Sequence, residues 1–399
     1  MDQHKRVGEI QELLGRLGID GWLLADFHNR DTISCRVLGL DEGKFTSRRW
    51  FYYIPARGVP TKVVHSVEPG KLDSLPGQKV VYLPWQALHK ALKQALDGAS
   101  RVAMQYSPMN AIPYVDLADP GVVELVRSFG VEVVSSADLV QRFEACLTDE
   151  QLETHTAASV VVQGIKDEAF KMVASAISRG ETLTEWDVQQ YIIRRFSEEG
   201  MTCDGEWPIV AVNEHAADPH FEPTEQRTSV IRRGDKLLID LWARFERPGA
   251  IYYDITWCGF VGEEPPEEYA AIWDVATRAR DAALELVRRR FESNEVVYGW
   301  EVDRAARTVV EEAGYADYFV HRTGHSIGTR VHGNGVHMDS LETKDERALV
   351  PGICFSIEPG IYIPGQMGVR TEINVFITRD GAVKTAGAVQ KALLRVDQP

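Results

Sequence analysis

Cysteine is scarce in this 399-residue chain: Cys35, Cys146, Cys203, Cys258 and Cys354 lie far apart and form no CxxC pair. That spacing excludes a disulfide framework or a zinc knuckle and fits a reducing, cytoplasmic compartment. No run of 18 apolar residues occurs, so no membrane span is expected. The opening MDQHKRVGEIQ has no apolar core, so no signal peptide is expected either. Positive charge is in deficit, with 44 Lys and Arg against 59 Asp and Glu and a net charge of -15. Such a chain repels nucleic acid and anionic membrane at long range, and neither is expected as a partner. The basic run RRRF at 288–291 ends a predicted helix, where it complements the helix dipole. No glycine-rich phosphate loop follows a strand, so a nucleotide role has no support.

What is present reads as two domains, 1–147 and 148–399, with an α/β and α+β character throughout. In the first, the amphipathic helix VGEIQELLGRLG leads to the strand GWLLAD. The strands RWFYYIP and TKVVH follow, separated by the turn ARGVP, and then helices alternate with RVAMQY and VEVVS. RRWFYYIP suits a buried strand better than an interface. At 148 a long helix begins, with Thr148 and Gln151 spaced as a capping box.

The second domain repeats its own outline. Two helices precede the strands KLLIDLWARF and IYYDITWCGF, and two more precede ICFSIEPG and VRTEINVFI. Asp240 and Glu358 are 118 residues apart, as are Asp254 and Glu372, while Gly200 and Gly314 are 114 apart. Near-constant offsets indicate a duplicated α/β half, and two halves should close face to face around a shared site.

Asp240 and Asp254 each interrupt an apolar strand. With the turn FERPG centred near Arg247, they should face each other across the ladder, on one face because their separation is even. Like charges so opposed are destabilising, and burying an unpaired carboxylate is costlier still. Glu358 and Glu372 repeat the arrangement around PGQMG. Protonation, arginines or metal ions could compensate the four acids. Arg370 shares Glu372's face by strand parity but can serve only one acid. Two divalent cations match four carboxylates in charge. Cys258, near Asp254, reads as a small buried strand residue.

Six of the 11 histidines fall in NEHAADPHFEP and HRTGHSIGTRVHGNGVH. A lone histidine is more often a surface or core residue. Four in one glycine-rich loop just before an acidic strand pair point instead to a metal site, and the glycines permit close backbone approach. Oxygen ligands with one imidazole suit Mn(II) first, and also Co(II), Zn(II) or Fe(II), better than calcium.

These residues resemble the pita-bread metallohydrolases, the family of methionine aminopeptidase, aminopeptidase P, prolidase and creatinase. The resemblance covers nearly the whole chain. It implies a creatinase-type N-terminal α/β domain followed by a pita-bread catalytic domain. The five ligand positions occur in order in IDLWA, YYDIT, HRTGHSIG, SIEPG and RTEINV. The resemblance implies that Asp240 chelates one ion, Asp254 and Glu372 bridge two, and His325 and Glu358 bind the second. It further implies Glu358 as general base, His220 near the substrate amide, His332 at the tetrahedral intermediate and Arg370 supporting the bridging Glu372. Departures are Trp242 where glycine is usual, Trp257 where DITR is usual, a longer hairpin loop, GNGVHMD after His332, and FHNRDTI in the first domain. Several of these are expected at the substrate pocket.

The implied function is a dinuclear metal-dependent exopeptidase cleaving Xaa-Pro bonds of short peptides, as aminopeptidase or dipeptidase, in a homodimer. The alternatives are a non-peptide creatinase-like C–N hydrolase or metal-dependent lyase, and a binding module that has lost catalysis. The five intact ligand positions stand against the last.

Overall fold

The computed structural model describes residues 2–397. They divide into two units, Met1–Glu144 and Ala145–Pro399.

In the first unit, helix α1 (Gln3–Leu17) starts where the Asp2 side chain accepts the His4 and Lys5 backbone N–H groups, and stops at Gly18 in the left-handed conformation. The other helices are α2 (Thr32–Leu38), α3 (Trp85–Ala95), α4 (Pro120–Arg127) and α5 (Ala137–Val140). The strands are β1 (Gly21–Asp26), β2 (Trp50–Pro55), β3 (Thr61–His65), β4 (Gln78–Tyr82), β5 (Arg101–Met104) and β6 (Glu132–Ser135). They form one mixed sheet in the order β4-β3-β2-β1-β5-β6. Alternation sorts its side chains. Trp22, Leu24, Trp50, Tyr52 and Ile54 pack in the cluster holding the apolar residues of α1, and Leu23, Phe51 and Tyr53 in the one holding those of α3 and α4. The aromatic stretch WFYYIP is thus a buried inner strand.

The second unit opens with α6 (Asp149–Arg179), whose capping box joins Thr148 and Gln151 in both directions. Then come α7 (Glu185–Glu198), β7 (Met201–Thr202), β8 (Ile209–Val212), β9 (Lys236–Phe245) and β10 (Tyr253–Phe260). The order is repeated by α8 (Glu267–Glu292), α9 (Gly299–Glu312), β11 (Cys354–Ile357), β12 (Gly360–Ile363), β13 (Met367–Arg370) and β14 (Ile373–Ile377), with β15 (Val383–Ala386) and β16 (Leu394–Arg395) at the edges. Apolar residues of α6 and α7 pack on Leu237, Ile239, Leu241, Tyr253, Ile255 and Trp257, one face of the β9–β10 hairpin. Those of α8 and α9 pack on Phe355, Ile357, Ile361, Val369, Ile373 and Val375.

The register of the first hairpin differs from expectation. Asp254 pairs with Trp242, and Asp240 pairs with Thr256. The acids are diagonal neighbours, not opposed, because the connection at Glu246–Tyr252 sets the register two residues away from a turn centred at Arg247. The shift is even, so Asp240, Trp242, Asp254 and Thr256 still share a face.

The second hairpin is one long ladder with a break. Ile357 pairs with Ile373 and Gly360 with Arg370, a single register that places Glu358 opposite Glu372. At this level the backbone bonds outward. The Glu358 N–H donates to the Thr323 carbonyl (2.7 Å) and the Glu372 N–H to the Thr256 carbonyl (3.2 Å). The break therefore ties the hairpin to the histidine loop on one side and to β10 on the other.

Candidate metal centre

Asn374 completes the link between the hairpins. Its Oδ1 accepts the Asp254 N–H (2.9 Å) and its Nδ2 donates to the Asp254 carbonyl (2.7 Å). The histidine loop comes equally close. A Cβ on Gly324 would stand 2.0 Å from the Ser356 carbonyl oxygen, so only glycine lets the backbone approach there. The His325 N–H then donates to Ser356 Oγ (2.9 Å), which donates to Glu358 Oε1 (2.9 Å).

These contacts gather ligand atoms of Asp254, His325 and Glu372 within 4.8 Å of one another, all three residues buried. His325 Nε2 lies 3.1 Å from Glu358 Oε1 and 3.5 Å from Asp254 Oδ2. Asp240 stands on the same face, paired with Arg370. The Arg370 guanidinium also donates to Thr256 Oγ1 (3.0 Å), Tyr362 OH (2.9 Å) and the Pro219 carbonyl (3.2 Å). Thr256 Oγ1 in turn donates to Glu372 Oε2 (3.0 Å). Arg370 thus reaches Glu372 through Thr256.

Burial pushes Asp254 up to about 7, raises Asp240 against the opposing charge of Arg370, and raises Glu372 well above the usual carboxylate range. Burial works to raise Glu358, but the charge and hydrogen bond of the adjacent His325, together with the charges of His321 and Arg370, outweigh it and hold this acid well below its ordinary value. Burial opposes charge on His325, yet Glu358 and Asp254 lift it to about 9. Three buried oxygens, Asp240 Oδ1, Asp254 Oδ1 and Glu372 Oε1, have no hydrogen-bond donor. Buried acceptors of this kind are normally satisfied. A carboxylate-rich set with one imidazole and three donorless oxygens fits divalent cations.

His332 is exposed, with its ring 4.4 Å from that of His325, whose charge pushes His332 down to about 3. His220 is exposed on its loop. Its charge also acts on His332, and its backbone N–H donates to Asp218 Oδ1 (3.1 Å). His321 makes a 2.7 Å hydrogen bond to Tyr362 OH.

Sequence reasoning missed Thr256, Tyr362 and two loop anchors. Thr256 was available from parity, two residues beyond Asp254. Tyr362 carried no signal, because tyrosine reads as an ordinary strand former. The anchors are Glu185 and Asp303, which share the 118-residue offset of the acid pairs. Glu185 accepts the N–H groups of Val212 (2.7 Å) and Ser229 (2.6 Å) and bonds His215 Nδ1 (2.9 Å). Asp303 accepts those of Thr323 (2.8 Å) and Ser340 (2.9 Å) and pairs with Arg307, which donates to the Phe319 carbonyl (2.9 Å). Both acids are fully buried, Glu185 in the first turn of α7 and Asp303 in the second turn of α9. The two halves therefore anchor their histidine-bearing loops by one device.

Comparison with known proteins agrees with this construction. The model of metallopeptidase family M24 matches residues 160–379. The chain is similar to the protein named "Probable dipeptidase PepE" of Mycobacterium bovis, 31% identical over 335 residues that cover 83% of this chain and 81% of the relative. It is also similar to an Xaa-Pro dipeptidase of Lactobacillus helveticus, 27% identical over 321 residues, 79% of either chain. Among solved structures, dipeptidase PepE from Mycobacterium ulcerans superposes with a TM-score of 0.70 at 25% identity, covering 99% of both chains. A duplicated α/β unit whose paired hairpins converge on buried acids, matched over more than half its length by that family's model, belongs to metallopeptidase family M24, the pita-bread hydrolases that act on peptide bonds with divalent metal ions.

Proposed function

We propose that this chain is an Xaa-Pro dipeptidase working with two divalent ions held by Asp240, Asp254, His325, Glu358 and Glu372. The carrying observation is the set of three buried carboxylate oxygens without donors on the face shared by both hairpins. When bound, the ions would acidify water and polarise the substrate carbonyl. Mn(II) suits the predominance of carboxylate ligands.

The chain's own residues supply the rest. Glu358, an anion held beside His325, takes the proton of the attacking water and delivers it to the leaving nitrogen. His332, a neutral imidazole at the edge of the site, donates an N–H to the developing oxyanion. His220 orients the substrate amide from its exposed loop. Arg370 holds Asp240 directly and Glu372 through Thr256, so it positions ligands and does not contact substrate. Proline in second place makes the scissile bond a tertiary amide with its own geometry, which favours a dedicated pocket. The dipeptide preference rests on the names of the relatives.

Five free cysteines support a reducing compartment, here proposed as the cytoplasm. A creatinase-type first domain and a homodimer are proposed from the family resemblance. The test is hydrolysis of Ala-Pro, Ala-Ala and Ala-Pro-Ala by protein loaded with Mn(II), Co(II) or Zn(II). Ala-Pro should be cleaved fastest, with Mn(II) the best ion. No cleavage of any peptide with any ion would reject the reading in favour of a non-peptide C–N hydrolase or lyase.

A further inference from the structure

We propose that Trp242 is a specificity-determining residue whose indole walls the substrate pocket beside Asp254 and limits the size of the side chain N-terminal to the scissile bond. The proposal rests on the peptidase reading above. Its first support is register. Trp242 stands directly opposite Asp254 in the β9–β10 hairpin, two pairs away from the Asp240–Thr256 level. The two-residue period puts all four side chains on one face. That face carries the chemistry, since Asp240 binds Arg370, Thr256 binds Glu372 and Asp254 lies against His325. Directly opposed residues have Cβ atoms roughly 4.5–5.5 Å apart, so the indole starts within a side chain's width of a proposed metal ligand.

The second support is packing. Trp242 is half-buried and packs against two separate clusters. One includes Ile209 and Phe221; the other is made of Leu147, Ile251, Tyr252, Ile327, Val331 and Cys354. Phe221 follows His220 in the chain and Val331 precedes His332. The indole therefore packs against clusters that include neighbours of both candidate substrate histidines. An aromatic ring packed against close-packed clusters acts as a fixed wall. Space removed beside the reacting centre is space denied to a bulky substrate side chain.

Trp257 is the built-in control. It pairs with Ile239 and belongs to the opposite face, in the cluster beneath α6, with Lys166 Nζ 3.4 Å from its ring centroid. The two tryptophans that depart from the family pattern thus have different jobs: Trp257 fills the core under a helix and Trp242 faces the site.

The experiment compares metal-loaded wild type, Trp242→Ala, Trp242→Phe and Trp257→Phe on Ala-Pro, Leu-Pro and Phe-Pro. Trp242→Ala should raise kcat/KM for Phe-Pro relative to Ala-Pro by about tenfold or more, chiefly through KM, with Trp242→Phe intermediate and Trp257→Phe unchanged. A second readout uses a Glu358→Gln background, titrated with Ala-Pro while tryptophan emission is followed. The emission change should vanish with Trp242→Phe and persist with Trp257→Phe. Unaltered substrate ratios in both Trp242 variants, with normal wild-type turnover, overturn the proposal and leave the peptidase reading intact. Absent wild-type turnover on all three dipeptides overturns the peptidase reading and this proposal with it. Should Trp242→Ala not fold, Trp242→Phe carries the same comparison.

Discussion

Replacing Asp254 with Asn should make the metal-free protein more stable while abolishing its response to metal. Asp254 is 4% exposed, and burial lifts its pKa from 3.8 to about 7. A carboxyl whose folded pKa lies above its unfolded one favours folding only while protonated. Its contribution is complete below the unfolded value and is lost as pH rises through the folded one. At pH 8 a displacement from 3.8 to about 7 corresponds to up to about 4 kcal/mol, nearly undiscounted by solvent at so buried a site. Asn has the same outline, stays neutral at every pH and removes that cost. It also removes a proposed ligand of both ions. An ion present at a hundred times its Kd stabilises the fold by about 2.7 kcal/mol, so two ions contribute ~5 kcal/mol that the variant forfeits. At ~2–4 °C per kcal/mol for a domain of this size, the wild type should gain on the order of 10–20 °C in Tm on metal loading and the variant almost nothing. Urea unfolding in chelator at pH 8 and pH 5, followed by Mn(II) titration of Tm, makes the measurement. The variant's advantage should shrink markedly at pH 5, where wild-type Asp254 is protonated. An Asn variant no more stable than wild type at pH 8 in chelator, or an advantage independent of pH, would refute the view that these acids are strained without cations.

Three further outcomes are expected. Glu358→Gln should lower kcat about 10²–10⁴-fold in steady-state assays, the usual worth of a general base. Arg307→Met leaves Asp303 buried without its partner and should cost ~3–5 kcal/mol in denaturant unfolding, a loss of charge that a surface pair would not feel. Gly324→Ala drives a Cβ to within 2.0 Å of the Ser356 carbonyl and should destabilise by at least ~1–3 kcal/mol, read as a fall in urea midpoint.

Much of the second unit was legible because its signals are local. The capping box at Thr148 and the start of the long helix need only four residues, and the duplicated order shows in equal offsets. Strand parity correctly put Asp240 and Asp254 on one face. It could not supply their register, which depends on how the Glu246–Tyr252 connection folds, and the pairing came out two residues from the expected one. Nor could residue type separate Trp242 from Trp257. Both depart from the family pattern, but strand parity separates them: Trp242 lies two residues from Asp240 and Trp257 three from Asp254, and the pairing bears this out. The break in the β11–β14 ladder was invisible for a related reason. Glu358 and Glu372 sit in strands that read as continuous, and the bonds that divert their N–H groups go to Thr323 and Thr256, far away in sequence. Tyr362 gained its role from the same folding, by lying between His321 and Arg370.

The two-sided β9–β10 hairpin has an evolutionary consequence. Along β10, Asp254 and Thr256 face the buried acid cluster while Ile255 and Trp257 face the hydrocarbon packing of α6 and α7. Drift at alternate positions is therefore felt by different selective pressures. Exchange at one set alters the buried acid cluster, and exchange at the other alters the apolar core beneath the helices. A single residue inserted within either strand would trade the two sets and ruin both at once.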